Sequence, residues 1–326
     1  MNISRVACVG AGLIGQGWAT VFSTRCKKVM VQDISESGLE EAIRRIRANL
    51  DFLESHDLIP PGESRLAFER ITATTRMEDA ISGAGYVQES VPDDYETKKR
   101  VFREMDAHAP GAAILGSSSS GLLMTEIQKA VVRPARCVLV HPFLPVHLLP
   151  CVEIAGGRET SHDTIETVCG FISALGKTPV RLKREVPGYI VNRLQAALVR
   201  EAIDLVHTGV ASAEDVDTAF RTAIGLRDPI LGPFLRIHLA ANGAERFFER
   251  YAESYFSRWS TMATWTAVPP EAARAAVHGI NEMEIVRSKT PKELARWRDE
   301  MLVRILKAVN LTSAHPECKE EPATNV

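Results

Sequence analysis

The sequence predicts an α/β protein in which a doubly wound parallel sheet, covered by helices, is followed by an all-α segment. Three observations predict it. Short apolar runs alternate with helix-like stretches as far as residue 182, a glycine-rich turn follows the first run directly, and strand-like runs stop after Pro187.

Taken in order, Arg5 to Val9 is a short apolar run that ends in glycines, and Trp18 to Phe22 carries a helical pattern. Val29 to Gln32 is a second strand that closes at Asp33. After it, Leu39, Ile43, Ile46, Leu50 and Leu53 recur at three- and four-residue steps, which predicts a helix over Ser37 to Leu53. Pro60-Pro61-Gly62 interrupts the chain before a short helix ending near Arg70. Ile71-Thr72, Gly85 to Glu89 and Ala112 to Gly116 read as strands, with helices at Met77 to Ile81 and Tyr95 to Ala107 between them. Further strands follow at Val138 to His141, Cys151 to Ile154 and Pro179 to Leu182. The helix Ser161 to Leu175 has Thr160 and Ser161 as capping residues and Gly176 as its stop. Beyond Pro187 the readings are all helical: Ile190 to His207, Ala213 to Ile224, Pro233 to Ala241, Ala244 to Trp259 and Pro291 to Val309. The expected division is therefore 1–186, 187–310 and a flexible polar tail over 311–326.

Composition narrows the function classes. The 326 residues carry 39 Lys and Arg against 41 Asp and Glu, a net charge of −2, which removes the basic excess that a nucleic-acid binder relies on. The six cysteines (Cys8, Cys26, Cys137, Cys151, Cys169 and Cys318) form no C-x-x-C pair and fit no zinc spacing, so no metal site is expected and a reducing compartment is. No apolar run approaches the roughly 18–20 residues of a membrane span. The start of the chain lacks a cleavage site, so a cytoplasmic protein is expected.

Gly10-Ala11-Gly12-Leu13-Ile14-Gly15 is a G-x-G-x-x-G turn between a strand and a helix. Its first glycine allows the tight turn, its second leaves room for a pyrophosphate, and its third lets helix and strand approach. Asp33 ends the second strand, where a carboxylate accepts from ribose hydroxyls and repels a 2′-phosphate. The combination predicts a Rossmann-type domain that binds NAD rather than NADP; the bland alternative is a glycine turn beside a solvated Asp33.

Three further features carry candidate chemistry. His141 ends an apolar strand and enters a proline-rich loop with Glu153 in the next strand, a pairing suited to an imidazole that takes the proton of an alcohol. A strand-end histidine of this kind is also commonly structural. Ser117 to Ser120 follow a strand whose carboxyl end faces the crevice, as ligand hydroxyls or as a capped polar loop. Asn192 lies in the first turn of a long helix, where asparagine is mildly unfavourable without a specific hydrogen bond.

Gly10 to Gly15 with Asp33, the serine run, His141-Pro142-Phe143 through Glu153, and Pro187-Gly188-Tyr189-Ile190-Val191-Asn192-Arg193 together resemble the L-3-hydroxyacyl-CoA dehydrogenase superfamily, over about residues 5–310. The resemblance implies His141 as the catalytic histidine, Glu153 as its carboxylate partner, and Ser120 and Asn192 as contacts of the reacting oxygen. It implies that Asp93 and Lys98 touch the nicotinamide half of the cofactor, Asp93 being one methylene shorter than the usual glutamate. The implied reaction is hydride transfer between NAD and C3 of a 3-hydroxy acid or acyl-CoA. Leu235 and His238 replace a glutamate and an aspartate of the fatty-acid members, and Leu144 replaces the asparagine usual near the catalytic histidine. These changes resemble the lambda-crystallin and L-gulonate 3-dehydrogenase branch, and also L-carnitine dehydrogenases. A free acid then needs a cation, for which Arg227 is the candidate clamp, against a plain surface arginine. A non-catalytic cofactor-binding protein like lambda-crystallin and a short-chain thioester dehydrogenase are the alternatives. Apolar Leu194, Ala197, Leu198, Ile203 and Val206 suggest a homodimer through the helical part.

Overall fold

The computed structural model describes residues 3–310; the tail expected over 311–326, with Cys318, lies outside the described residues. The chain divides into two compact units, residues 3–190 and Val191–Asn310.

The first unit holds one eight-stranded sheet: β1 (Arg5–Val9), β2 (Lys28–Gln32), β3 (Ile71–Thr74), β4 (Tyr86–Glu89), β5 (Ile114–Ser117), β6 (Cys137–Pro142), β7 (Cys151–Gly156) and β8 (Thr178–Arg181). Its strand order is β3-β2-β1-β4-β5-β6-β7-β8. The order reverses between β1 and β4, and at such a switch point the two flanking loops diverge and leave a crevice above the strand ends. Helices α1 (Leu13–Ser23), α2 (Glu36–Ser55), α3 (Glu63–Glu69), α4 (Met77–Ile81), α5 (Tyr95–His108), α6 (Met124–Ile127) and α7 (His162–Ala174) cover the sheet. The central strands β4, β5 and β6 are buried along their length because helices lie on both faces, while the edge strands β3 and β8 are only partly covered. One core layer contains Trp18 stacked on Phe22 at 5.1 Å, with Tyr86 and Phe171 beside them. Each fully buried aromatic there stabilises the unit by about 2–3 kcal/mol. The other layer is built from α4, α5 and the opposite strand faces.

One pairing departs from the parallel expectation. β6 and β7 are antiparallel, because the proline-rich segment between them turns the chain back without a crossover helix. The register sets His141 opposite Glu153.

The units part a few residues beyond the change expected at Pro187. The turn there packs onto the first unit: the Tyr189 hydroxyl donates to the Leu122 carbonyl at 2.6 Å, and Ile190 N–H donates to Glu153 at 2.8 Å. The second unit is helical: α8 (Val191–His207), α9 (Ala213–Ala219), a π turn (Phe220–Ile224), α10 (Gly225–Arg227), α11 (Pro233–Ala240), α12 (Ala244–Trp259), α13 (Pro270–Glu282), α14 (Glu284–Ser288) and α15 (Pro291–Ala308). Among the described residues the cysteines are free thiols, and no helix is long and apolar enough to cross a membrane.

Candidate active site

Gly10 has φ +90°, and a Cβ there would meet the Ser90 carbonyl at 2.8 Å. A Cβ on Gly15 would come within 1.8 Å of the Gly10 carbonyl oxygen, so this glycine brings α1 onto its own turn. Gly12 is different: a Cβ there meets no atom within 4 Å. It borders a crevice of about 850 Å³ whose walls also include Gly10, Asp33, Ile34, Ser90 and Pro92. Leu13 and Ile14 open α1, whose unsatisfied N–H groups favour an anion. Asp33 closes the crevice: one carboxylate oxygen accepts from Ala11 N–H at 2.8 Å and the other from Ser35 N–H at 3.2 Å. Space at Gly12, a helix N-terminus and a fixed carboxylate at the end of β2 together fit a dinucleotide with free ribose hydroxyls.

Further along the same sheet edge stands a buried polar cluster. Glu89 ends β4 as a wholly buried carboxylate that accepts from Lys98 Nζ and Val91 N–H, each at 2.7 Å, and from the Ser117 hydroxyl at 2.6 Å. Lys98 also donates to the Val91 carbonyl and lies 3.6 Å from Asp93. Asp93 in turn accepts from the Ser119 hydroxyl (2.7 Å), Ser120 N–H (3.0 Å) and the Ser120 hydroxyl (2.8 Å). Burial pushes the Asp93 carboxyl up, but the donors from Ser119 and Ser120, backed by Lys98, outweigh it and hold the group below the ordinary carboxylate range. The shorter aspartate therefore reaches the serine loop, and Lys98 is 1% exposed beneath it.

His141 Nδ1 lies 2.8 Å from Glu153 Oε2, and both side chains are buried. Glu153 accepts Ile190 N–H on its other oxygen, so the carboxylate is held from two sides. The imidazole also contacts Phe143 and Tyr189, with ring centroids 4.5 and 5.3 Å away. Tyr189 adopts φ +50°, an uncommon conformation for a bulky residue, and so turns its ring onto the histidine. In the second unit, Asn192 lies in the first turn of α8 and Arg227 ends α10, its Nε donating back to the Ala223 carbonyl at 2.9 Å.

A buried carboxylate–imidazole pair on the strand edge that also carries a dinucleotide crevice is the outline of an alcohol dehydrogenase site. Residues 5–186 match the 3-hydroxyacyl-CoA dehydrogenase NAD binding domain, and residues 188–275 match the C-terminal domain of 3-hydroxyacyl-CoA dehydrogenase. The chain belongs to the 3-hydroxyacyl-CoA dehydrogenase family. It is an NAD-dependent oxidoreductase acting on CH–OH groups. Among its relatives, an L-carnitine dehydrogenase of Pseudomonas putida is 36% identical over 316 residues, covering 96% of each chain. The Homo sapiens lambda-crystallin homolog is 31% identical over 309 residues, covering 93% of this chain and 95% of the relative. The fold also superposes on 5-formyl-3-hydroxy-2-methylpyridine 4-carboxylic acid 5-dehydrogenase, an NAD⁺-dependent dismutase. There the TM-score is 0.82 at 28% identity, with 94% of this chain and 99% of the other covered.

Glu89 and Tyr189 contact the candidate residues Lys98 and His141 but were not singled out in the sequence, whereas Ser119, which binds Asp93, lies within the serine run that was. A charged residue closing the apolar strand Tyr86–Glu89 was the available signal for Glu89; Tyr189 stood within the Pro187–Arg193 motif, but its contact with His141 depends on a backbone conformation that the motif does not reveal.

Proposed function

We propose that the protein oxidises the C3 hydroxyl of a small L-3-hydroxy acid, with His141 as base and Glu153 as its partner. The observation that supports this most is the 2.8 Å contact between two buried side chains at cross-strand positions. Bound NAD supplies the hydride acceptor. With Nδ1 donating to Glu153, the His141 lone pair is on Nε2, which takes the hydroxyl proton as the hydride leaves. Glu153 stabilises the resulting imidazolium, and in the reverse direction that imidazolium is the acid.

Gly10, Gly12, Leu13, Ile14, Gly15 and Asp33 are the proposed contacts of the adenosine and pyrophosphate half, with Asp93 and Lys98 serving the nicotinamide half. Ser120 and Asn192 are the proposed contacts of the reacting oxygen. Arg227 is proposed to pair the substrate carboxylate, since a desolvated carboxylate needs a cation. Arg227→Ala is then expected to raise KM for the acid about tenfold with little change in kcat; an unchanged KM removes the clamp.

Leu235 and His238, where the thioester enzymes carry acids, favour a free acid. The similarity to L-carnitine dehydrogenases makes L-carnitine, itself a 3-hydroxy acid, the first compound to test and L-gulonate the second. The deciding experiment is a screen of L-carnitine, L-gulonate, 3-hydroxybutyrate and acetoacetyl-CoA followed by NADH absorbance. Turnover of acetoacetyl-CoA alone overturns the free-acid reading in favour of a thioester dehydrogenase. Tight NADH binding with no turnover of any of them favours a crystallin-like binding protein, against which the joint presence of Ser120, His141, Glu153 and Asn192 speaks. A homodimer formed through the helical unit, in a reducing cytoplasm, completes the proposal.

A further inference from the structure

Lys177 has no place in the roles above, yet it is one of the most deeply buried cations of the first unit. Gly176, at φ +79°, ends α7 with its N–H on the Ser173 carbonyl, and Lys177 N–H returns to the Ile172 carbonyl. This left-handed stop turns the Lys177 side chain inward, where only 6% of the residue stays exposed. Its Nζ donates to the carbonyls of Val146 at 2.6 Å and Leu149 at 2.9 Å. Among the described residues no carboxylate lies within ion-pair distance of it. Burial lowers its pKa to about 7. An unpaired buried cation is costly, and an apolar side chain would fill the space at less cost. Its hydrogen bonds are what a replacement would forfeit.

Both carbonyls belong to the loop 143–150, which joins β6 to β7 and so links the strand ends that carry His141 and Glu153. The loop is a single turn in which the Pro145 carbonyl accepts Leu148 and Leu149 N–H, leaving the Val146 and Leu149 carbonyls for the ammonium. Its other fixed points are the Pro150 carbonyl, which accepts Thr178 N–H at 2.9 Å, and the buried Leu148 and Val146 side chains, the latter packing on Gly17 of α1, where a Cβ would come within 2.7 Å of Val146 Cβ. We propose that Lys177 is a positioning residue for the reaction: it ties the loop 143–150 from below, and through that loop keeps the His141 imidazole in register with Glu153. The proposal rests on the reading of His141 and Glu153 as the acid–base pair.

The test uses the full chain carrying Lys177→Met, with His141→Gln and Glu153→Gln as references. The readouts are the His141 titration by NMR, assigned by its disappearance in His141→Gln, NADH binding by fluorescence, and turnover of whichever of L-carnitine and acetoacetyl-CoA the wild type accepts. We expect the His141 imidazole resonances across the titration and the pH profile of kcat to depart from wild type in the same direction as in Glu153→Gln, because the ring is no longer held against the carboxylate. We expect kcat to fall about tenfold or more, with the Kd for NADH within about threefold of wild type. An unchanged titration and kcat, where His141→Gln has lost turnover, overturns the positioning role and leaves the acid–base reading standing. Full turnover by His141→Gln overturns that reading instead, and the titration in Lys177→Met still decides whether the lysine positions the pair. If Lys177→Met yields no folded chain, Lys177→Gln, whose amide ends one bond short of the Lys177 Nζ and so loosens the tie to the Val146 and Leu149 carbonyls, is expected to give the same changes at smaller size, and the absence of any change in it overturns the positioning role.

Discussion

At His141 the imidazole is fixed on three sides: Glu153 binds Nδ1, the edge of Phe143 packs on the ring, and Tyr189 leans over it. Glutamine can occupy that space but cannot shuttle the proton. His141→Gln should therefore lower kcat by on the order of 10²–10⁴ while NADH still binds, which steady-state rates and a fluorescence titration will check; near-normal kcat removes His141 from the chemistry. Lys177 gives a pH dependence of stability with a definite sign. Its pKa is about 7 in the folded chain against an ordinary 10.5, so between those values the unfolded chain binds the extra proton and stability rises with pH. Below about pH 7 both states are charged and the full cost of the buried ammonium is carried. From pH 6 to pH 9 the unfolding free energy of wild type should thus gain on that of Lys177→Met by on the order of 2 kcal/mol in urea titrations. An equal difference at both pH values contradicts it.

Among the elements, α1 separates the reasons for its glycines. Gly12 faces open crevice, so Gly12→Ala meets no protein atom and should leave the melting temperature close to wild type while loosening NADH binding about tenfold or more. Gly17 faces Val146, so Gly17→Ala forces a packed loop aside and should cost about 1–3 kcal/mol of stability. Thermal melts and NADH titrations of the two variants should give opposite patterns, and a shared pattern contradicts the assignment. The apolar pattern marks this helix only over Trp18 to Phe22; the helix begins at Leu13, and Gly15 and Gly17 within it are its contacts with the turn and with the loop at Val146. Most other elements were legible from apolar periodicity, and Met77–Ile81 and Ala244–Trp259 agree end to end. α13 is absent from the sequence readings, although Pro270 is compatible with the first helical turn that it occupies. The π turn at Phe220–Ile224 was hidden inside a continuous helical pattern, and the antiparallel β6–β7 pairing inside a run of apparently equivalent strands. His141 and Glu153 were legible as residues, but their contact follows from the register that this pairing imposes.

Across the whole molecule the two units differ in how they bury apolar surface. In the first, β4, β5 and β6 are buried along their length and both sheet faces are covered. In the second, α8, α9 and α11 have no fully buried residue, and large apolar side chains such as Phe234, Phe256 and Trp259 stand exposed. Monomeric proteins rarely leave so many large apolar groups in water, and burying roughly 1,200–2,000 Å² between two copies would cover them. On α8, Leu194 is 59% and Leu198 is 42% exposed, one turn apart, which suits a seam between copies. Val206, expected on the same seam, instead packs toward Gly279 of α13, which leaves only the first half of the helix for the proposed seam. The solution mass should accordingly be twice that of the chain. Placing a charge at the centre of that seam, as in Leu194→Glu with Leu198→Glu, should shift the mass toward the monomer while NADH binding by the first unit persists, because burying unpaired carboxylates costs several kcal/mol. Light scattering distinguishes the outcomes: a wild-type monomer contradicts the dimer, and a dimer untouched by both substitutions moves the interface off α8.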